Sequence, residues 1–305
     1  MGAGRVAIFS TLKAAVGPQL VSQRNALGSW RHASPHHDIL LFGDDPGTDL
    51  LAGEVGAVHV PRIERSSLGT PRLSSLFAQV QPRAPRAAFF CYANADIIFT
   101  QDLAAIAERG AARFDRFVVV GQRWNAALAE PLDFAGDWRA AVDRSVSTSG
   151  VCGSPDAIDY FLFPRGLLQD LPPFIVGRPV WDNWLLAEVL RQGLQLIDAT
   201  PVLRAVHQNH DYQHVPQGGG IKWEGPEADE NRRLAHAYSR RSFAPGLFTI
   251  YAAPHRLTQT LLLPNTTPEH RSAARAIRLH QSRVLSRLRW IWRRNRALCA
   301  RLRRG

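Results

Sequence analysis

The chain is poor in several things that would narrow its class at once. Its 305 residues include three cysteines, Cys91, Cys152 and Cys299, too few and too scattered for a disulfide framework or a cysteine-based zinc site. A reducing, cytoplasmic setting is expected. No run approaches the eighteen or more uncharged apolar residues of a spanning helix, and the first apolar stretch already stops at Ser10. Neither a leader nor a membrane anchor is expected, so any membrane contact is peripheral. Acid is missing from Arg271 to Gly305, where twelve arginines stand. Those twelve hold the whole net charge of +11, because the first 270 residues carry 25 basic groups against 26 acidic ones. A basic nucleic-acid face on the body is therefore not expected. What is present, 45% hydrophobic and 21% charged residues, suits one large folded domain or two small ones and excludes disorder over most of the chain.

Short apolar runs alternate with helix-like segments. RVAIFS (5–10) and DILLFG (38–43) read as buried strands, with a helix from Pro18 through Trp30 between them and a weaker strand ending at Pro61. Thr70 and Pro71 read as an N-cap and first-turn proline, after which Leu73, Leu76, Phe77 and Val80 recur at helical spacing. Segments 87–99 and 114–124 read as central strands, separated by a helix from about Asp102. This β-α alternation predicts an α/β fold with a mixed, mainly parallel sheet and helices on both faces. Ligands sit at the carboxyl ends of such strands, where Asp44 and Asp45, Asn94 and Asp96, and Gln122 and Arg123 fall.

Further on, a strand is expected at 159–164, a helix over 181–191, and two short strands broken at Pro201. Segment 207–226, with three consecutive glycines, reads as a mobile loop. A helical tail begins after Pro268. The predicted division is one domain over 1–268, with halves at about 1–125 and 126–268, followed by a separate basic helical tail over 269–305.

An ordered set of motifs runs through the chain: FGDDPG (42–47), GTP (69–71), YANADI (92–97), GQRW (121–124), DYFLFPRG (159–166), WDNW (181–184) and HQNHDY (207–212). In that order they resemble a group of bacterial and plant GT-A-fold glycosyltransferase-like proteins, over roughly residues 5 to 215. The resemblance implies a GT-A-like (Rossmann-like) fold, a nucleotide-diphosphate sugar of UDP or GDP type as donor, and a divalent cation, Mn²⁺ or Mg²⁺. Asn94 stands where the general Asp-x-Asp motif has its first acid. Asp96 then becomes the main carboxylate ligand, with His207 or His210 joining it and Asn94 and Ala95 lying against ribose or phosphate. The histidine cluster at 207, 210 and 214 equally suits a zinc site.

On the donor side, Asp44 and Asp45 would accept hydrogen bonds from base or ribose, and Ser10, Thr11 and Lys13 close the same pocket. A plain Asp-Pro-Gly turn explains the two acids as well. Arg65, Arg72 and Arg123 offer forks for a diphosphate. On the acceptor side, indole faces suit sugar rings, which points to Trp124, Trp181 and Trp184 beside Asp159, Tyr160 and Asn183, although tryptophans also pack cores. Asp182 is the candidate general base, its position matching that of the base in inverting GT-A enzymes; helix capping is its plain alternative.

The tail alternates Leu, Ile and Trp with Arg at helical spacing, as on an anionic membrane surface or against a partner. The expected function is thus metal-assisted, inverting transfer of a sugar to a hydroxyl of a glycan, lipid or protein. The rivals are a non-catalytic carbohydrate- or partner-binding protein on the same fold and, with a poorer phosphate loop, a sugar nucleotidyltransferase.

Overall fold

A computed structural model describes residues 4–34, 36–209, 223–239 and 243–282. The first half runs β1 (Val6–Thr11), α1 (Gly17–Ala33), β2 (Asp38–Phe42), α2 (Thr48–Val55), β3 (Val58–Val60), α3 (Leu73–Arg83), β4 (Phe89–Ala93), β5 (Ile97–Phe99), α4 (Leu103–Ala111), β6 (Phe117–Val120) and β7 (Arg123–Ala126). The second adds α5 (Trp138–Ser149), β8 (Val151–Cys152), β9 (Tyr160–Pro164), α6 (Trp181–Arg191), β10 (Gln195–Asp198), β11 (Ala205–Gln208), α7 (Pro226–Tyr238), β12 (His255–Leu257), β13 (Leu262–Pro264) and α8 (Pro268–Gln281).

Nine strands form the main sheet in the order β13-β12-β10-β6-β9-β4-β1-β2-β3. All run parallel except β9, which lies antiparallel between β4 and β6, and the edge strand β13. Both faces are covered, as the unbroken apolar strands require. Val6 and Ile8 pack with Leu27, Trp30, Leu51 and Ile106 under α1, α2 and α4, while Ala7 and Phe9 pack with Leu76, Phe77, Leu185 and Leu234 under α3, α6 and α7. A smaller sheet, β5-β11-β7-β8, covers Trp138, Val142 and Val146 of α5.

Two expected strands are each divided between the sheets. Segment 87–99 breaks after β4, where the Ile97 N–H donates to the Asn94 carbonyl at 3.1 Å and the turn delivers β5 to the small sheet. Segment 114–124 breaks at Gly121, where a Cβ would collide with the Tyr160 hydroxyl and stand 3.2 Å from the Thr200 nitrogen. Beyond it the Gln122 N–H donates to Thr200 Oγ1 at 3.0 Å, and β7 leaves for the small sheet. Helix α3 starts at Leu73 with no side-chain cap, so Thr70 is not its N-cap. The tail helix is not wholly separate either: Ile277 of α8 packs against the main core, and the His270 ring is 2.9 Å from the Tyr251 carbonyl. Residues 283–305, which hold most of the expected tail, lie outside the described residues.

Candidate active site

The two strand breaks put Asn94-Ala95-Asp96 and Arg123-Trp124 at the seam between the sheets. Asp159, buried one residue before β9, ties them together. Its Oδ1 accepts from Asn94 Nδ2 at 2.6 Å, its Oδ2 accepts from Arg123 Nη1 at 2.7 Å, and its carbonyl accepts from the Asn94 N–H at 3.0 Å. The Tyr92 hydroxyl completes the chain by donating to Asn94 Oδ1 at 3.1 Å. Asp159 thus orients Asn94 and Arg123. The amide that the sequence pointed at ribose or phosphate is turned into this network.

Antiparallel pairing of β11 with β5 sets His207 opposite Ile97, which brings its Nε2 within 3.5 Å of Asp96 Oδ2. A carboxylate oxygen and an imidazole nitrogen at that separation suit two ligands of one small divalent cation. Among the described residues no group of three or more His, Cys, Asp or Glu converges on one point, and His210 lies outside them. Two protein ligands leave the remaining coordination positions of such an ion open.

Behind this pair stands a residue the sequence reading passed over. Gln208 is buried, and its Nε2 donates to the carbonyls of Ser22 at 2.7 Å and Asp96 at 3.1 Å. Its Oε1 accepts from Asn25 Nδ2 at 3.0 Å, and Asn25 Oδ1 accepts from the Leu132 N–H at 2.8 Å. Two buried amides thereby fix the Asp96 turn to α1. The signal was a glutamine closing a short strand that opens with apolar Ala205 and Val206, where a buried amide needs partners.

Asp182 is the second residue of α6. The N-cap is Val180, in the left-handed region at φ 73°, a strained conformation for a β-branched residue. Asp182 Oδ1 accepts from the Asn183 N–H at 2.8 Å. Burial, joined by the negative charges of Asp159 and Asp156, pushes its carboxyl up from 3.8 to about 7, against the opposing pull of the helix N–H groups. Burial, helped by the charges of Asp159, Asp96 and Asp182, also raises the Tyr92 hydroxyl, so these four side chains share one neighbourhood.

The expected aromatic acceptor platform is corrected in part. Tyr160 is fully buried edge-on to Phe99 at 5.5 Å, and Trp184 is packed on Phe174 at 5.2 Å. Trp181 is buried between Tyr92 and Phe161. Apolar packing claims these rings, which leaves Trp124, half-exposed on β7, as the accessible indole. Asn183 donates through Nδ2 to the Phe248 carbonyl at 2.8 Å.

On the donor side, Arg65 Nη2 bridges Asp44 Oδ1 at 2.6 Å and Asp45 Oδ2 at 2.8 Å beyond the end of β2. Buried Ser10 and half-buried Thr11 end β1, and exposed Lys13 follows them. Arg72 turns elsewhere, with Nη1 2.7 Å from the Pro173 carbonyl and 2.9 Å from Glu230 Oε1. It does not form a fork with Arg65.

No family model matches the chain, and no curated protein does either. Among solved structures, the glucosyl-3-phosphoglycerate synthase of Mycobacterium tuberculosis in complex with Mg²⁺ and UDP matches at 14% identity and a TM-score of 0.44, over 77% of this chain and 79% of that one. The same enzyme with Mn²⁺, UDP-glucose and phosphoglyceric acid matches at 12% identity and a TM-score of 0.42, over 77% and 79%. A further mycobacterial protein matches at 13% identity and 0.40, over 70% of each chain. These likenesses are loose, and what those crystals hold belongs to those proteins.

Proposed function

We propose that the chain is a GT-A-like glycosyltransferase that takes a sugar from a UDP- or GDP-type donor. The observation that carries this reading is the carboxyl of Asp182, poised near neutral pH in the same neighbourhood as Asp96, which pairs with His207. A side chain that must take a proton at physiological pH works best with a pKa near that pH. Asp96 and His207 would hold Mn²⁺ or Mg²⁺, which when bound offsets the charge of a departing diphosphate. The chain's own groups do the rest. Asp182, with Oδ1 engaged by the Asn183 N–H, presents Oδ2 to an acceptor hydroxyl and receives its proton. Asp159 keeps Arg123 and Asn94 in register beside it, and half-exposed Trp124 offers a face to a sugar ring. A base opposite the leaving group gives a single displacement with inversion.

A non-catalytic binding role is the second reading. It is favoured by Asn94, which replaces the first acid of the motif and gives its amide to Asp159. Turnover of a nucleotide sugar, with water as acceptor if necessary, separates the two. The direct test of the first reading is a thermal-shift panel of nucleotide diphosphates and their sugars with and without Mn²⁺. A ligand at a hundred times its Kd adds roughly 2.7 kcal/mol to the folded state.

The second part of the proposal is a peripheral location at a membrane's inner face. Among the described residues no helix is long and apolar enough to cross a membrane. Arg271, Arg275 and Arg278 are exposed on α8 at spacings that align on one helix face, the arrangement that anionic lipid attracts.

A further inference from the structure

Glu227, in the first turn of α7, is a buried carboxylate that belongs to none of the motifs above. It is fully engaged. Oε1 accepts from the Ser66 hydroxyl, and Oε2 accepts from the Thr70 hydroxyl at 3.0 Å and from Arg178 through Nε at 2.8 Å and Nη2 at 2.5 Å. Burial would raise this carboxyl, but the bonds from Ser66, Thr70 and Arg178 prevail and hold it below the usual range. One turn later Asn231, also buried, accepts from the Ile175 N–H at 2.8 Å and donates to the carbonyls of Ile175 at 3.1 Å and Pro179 at 3.3 Å.

The two segments joined here each adjoin a part of the candidate site. Ser66 and Thr70 flank a tight turn that starts beside Arg65, the residue bridging Asp44 and Asp45. Arg178 lies two residues before Val180, whose left-handed backbone turns the chain into α6 and Asp182. A left-handed β-branched residue persists only when its surroundings hold it in place. Glu227 and Asn231 supply that hold on the stretch from 175 to 179.

We propose that Glu227 is a positioning residue for the candidate base, fastening the turn that leads into α6 to the loop that follows β3 and so setting where Asp182 stands relative to the nucleotide side. The assignment rests on the transferase reading for the role of Asp182, but the contact is tested on the protein itself. In Glu227→Gln a single carbonyl oxygen remains, so only one of the Ser66 and Thr70 hydroxyls keeps its acceptor while Arg178 loses its counter-charge; the turn before α6 loosens and water reaches Asp182. The groups facing Asp182, namely Asp159, Asp156 and the Tyr92 hydroxyl, are unchanged by the substitution.

The experiment follows the side-chain carboxyl carbon of Asp182 by NMR in protein labelled at aspartate, with Asp182→Asn assigning the signal. Cooperative melting and UDP affinity in Mn²⁺ are measured on the same samples. The expected result is an Asp182 midpoint lowered by about one unit or more in Glu227→Gln, a tenfold change in its proton equilibrium. Melting should stay cooperative and UDP affinity should stay within about threefold, a change of less than 1 kcal/mol. Arg178→Gln, which breaks the same contact from the other side, should reproduce the shift. The double variant should add little to either, as partners in one contact behave. Should Glu227→Gln fail to fold, Arg178→Gln alone decides. An unchanged midpoint in the folded variant overturns the positioning role and leaves the transferase reading standing. Absence of Mn²⁺-dependent binding of both UDP and GDP by the unaltered chain overturns the transferase reading, while the Asp182 midpoint still decides the contact.

Discussion

Replacing Asp182 with asparagine separates the cost of the candidate site from its use. In the folded protein the carboxyl titrates at about 7 against 3.8 when free, about three units at roughly 1.36 kcal/mol each, or some 4 kcal/mol. The side chain keeps a small opening to solvent, so this is an upper bound. For an acid whose pKa is raised on folding, the folded state holds the proton more tightly. The penalty is therefore absent below about pH 4, grows as pH rises, and is complete above about pH 7. Asparagine removes the charge but keeps an oxygen for the Asn183 N–H. The variant should match the parent in stability at pH 4 and exceed it at pH 8 by up to about 4 kcal/mol, each kcal/mol raising Tm by about 2–4 °C in a chain of this size. Sugar transfer should meanwhile fall at least about a hundredfold, as loss of a general base requires. The parent's kcat/KM should decline as pH drops through about 7, where the base takes its proton. Melting scans at pH 4 and pH 8 and transfer assays on one preparation test both halves. Unchanged turnover together with equal or lower stability at pH 8 would refute the reasoning and rule Asp182 out as the base.

Three further outcomes follow from the contacts described. Asp96→Ala should abolish the Mn²⁺ dependence of UDP binding by titration calorimetry, and an EDTA-insensitive affinity in the parent would dismiss the cation site. Gln208→Leu removes a donor from the carbonyls of Ser22 and Asp96 and one of the two acceptors of buried Asn25 Nδ2, so stability in urea should fall by about 1–3 kcal/mol; a loss below about 0.5 kcal/mol would mean the amide network is idle. A chain ending at Ser282 retains α8 and its contacts, and should melt cooperatively while partitioning less onto anionic vesicles. Equal partitioning would assign the contact to Arg271, Arg275 and Arg278 of α8, which this chain keeps, and no partitioning by either chain would dismiss the membrane contact.

Much of the scaffold was legible because its strands are apolar on both faces and its helices carry clear spacing. The expected helix over 181–191 matches α6, and the break at Pro201 separates β10 from β11. Hydrophobicity could not show that segments 87–99 and 114–124 each feed two sheets. A polar turn such as Asn94–Asp96 ends a strand as readily as it redirects one, and the change of sheet depends on that turn and on one glycine against Tyr160. The site was legible where a residue type is chemically conspicuous, as with Asp96, His207 and Asp182. It was less so where identity leaves orientation open. Asp159 resembles an acceptor ligand until both its oxygens are seen engaged, and Trp184 resembles a sugar platform until the core closes over it. Thr70 and Pro71 spell a helix start, yet the threonine hydroxyl goes to Glu227, some 150 residues away in the chain.

The antiparallel position of β9 bears on the order in which the chain folds during synthesis. As the protein emerges, β1 to β4 can pair early, but the far edge of β4 stays bare until residues 160–164 have been made, some seventy residues later. Strand β6 waits for the same partner, and β10 and β12 can extend the sheet only from β6. An exposed apolar edge is a template for pairing with another chain. The nascent first half is therefore the stage at which a chaperone holding β4 has most to protect, and a fragment ending near residue 125 should aggregate rather than fold.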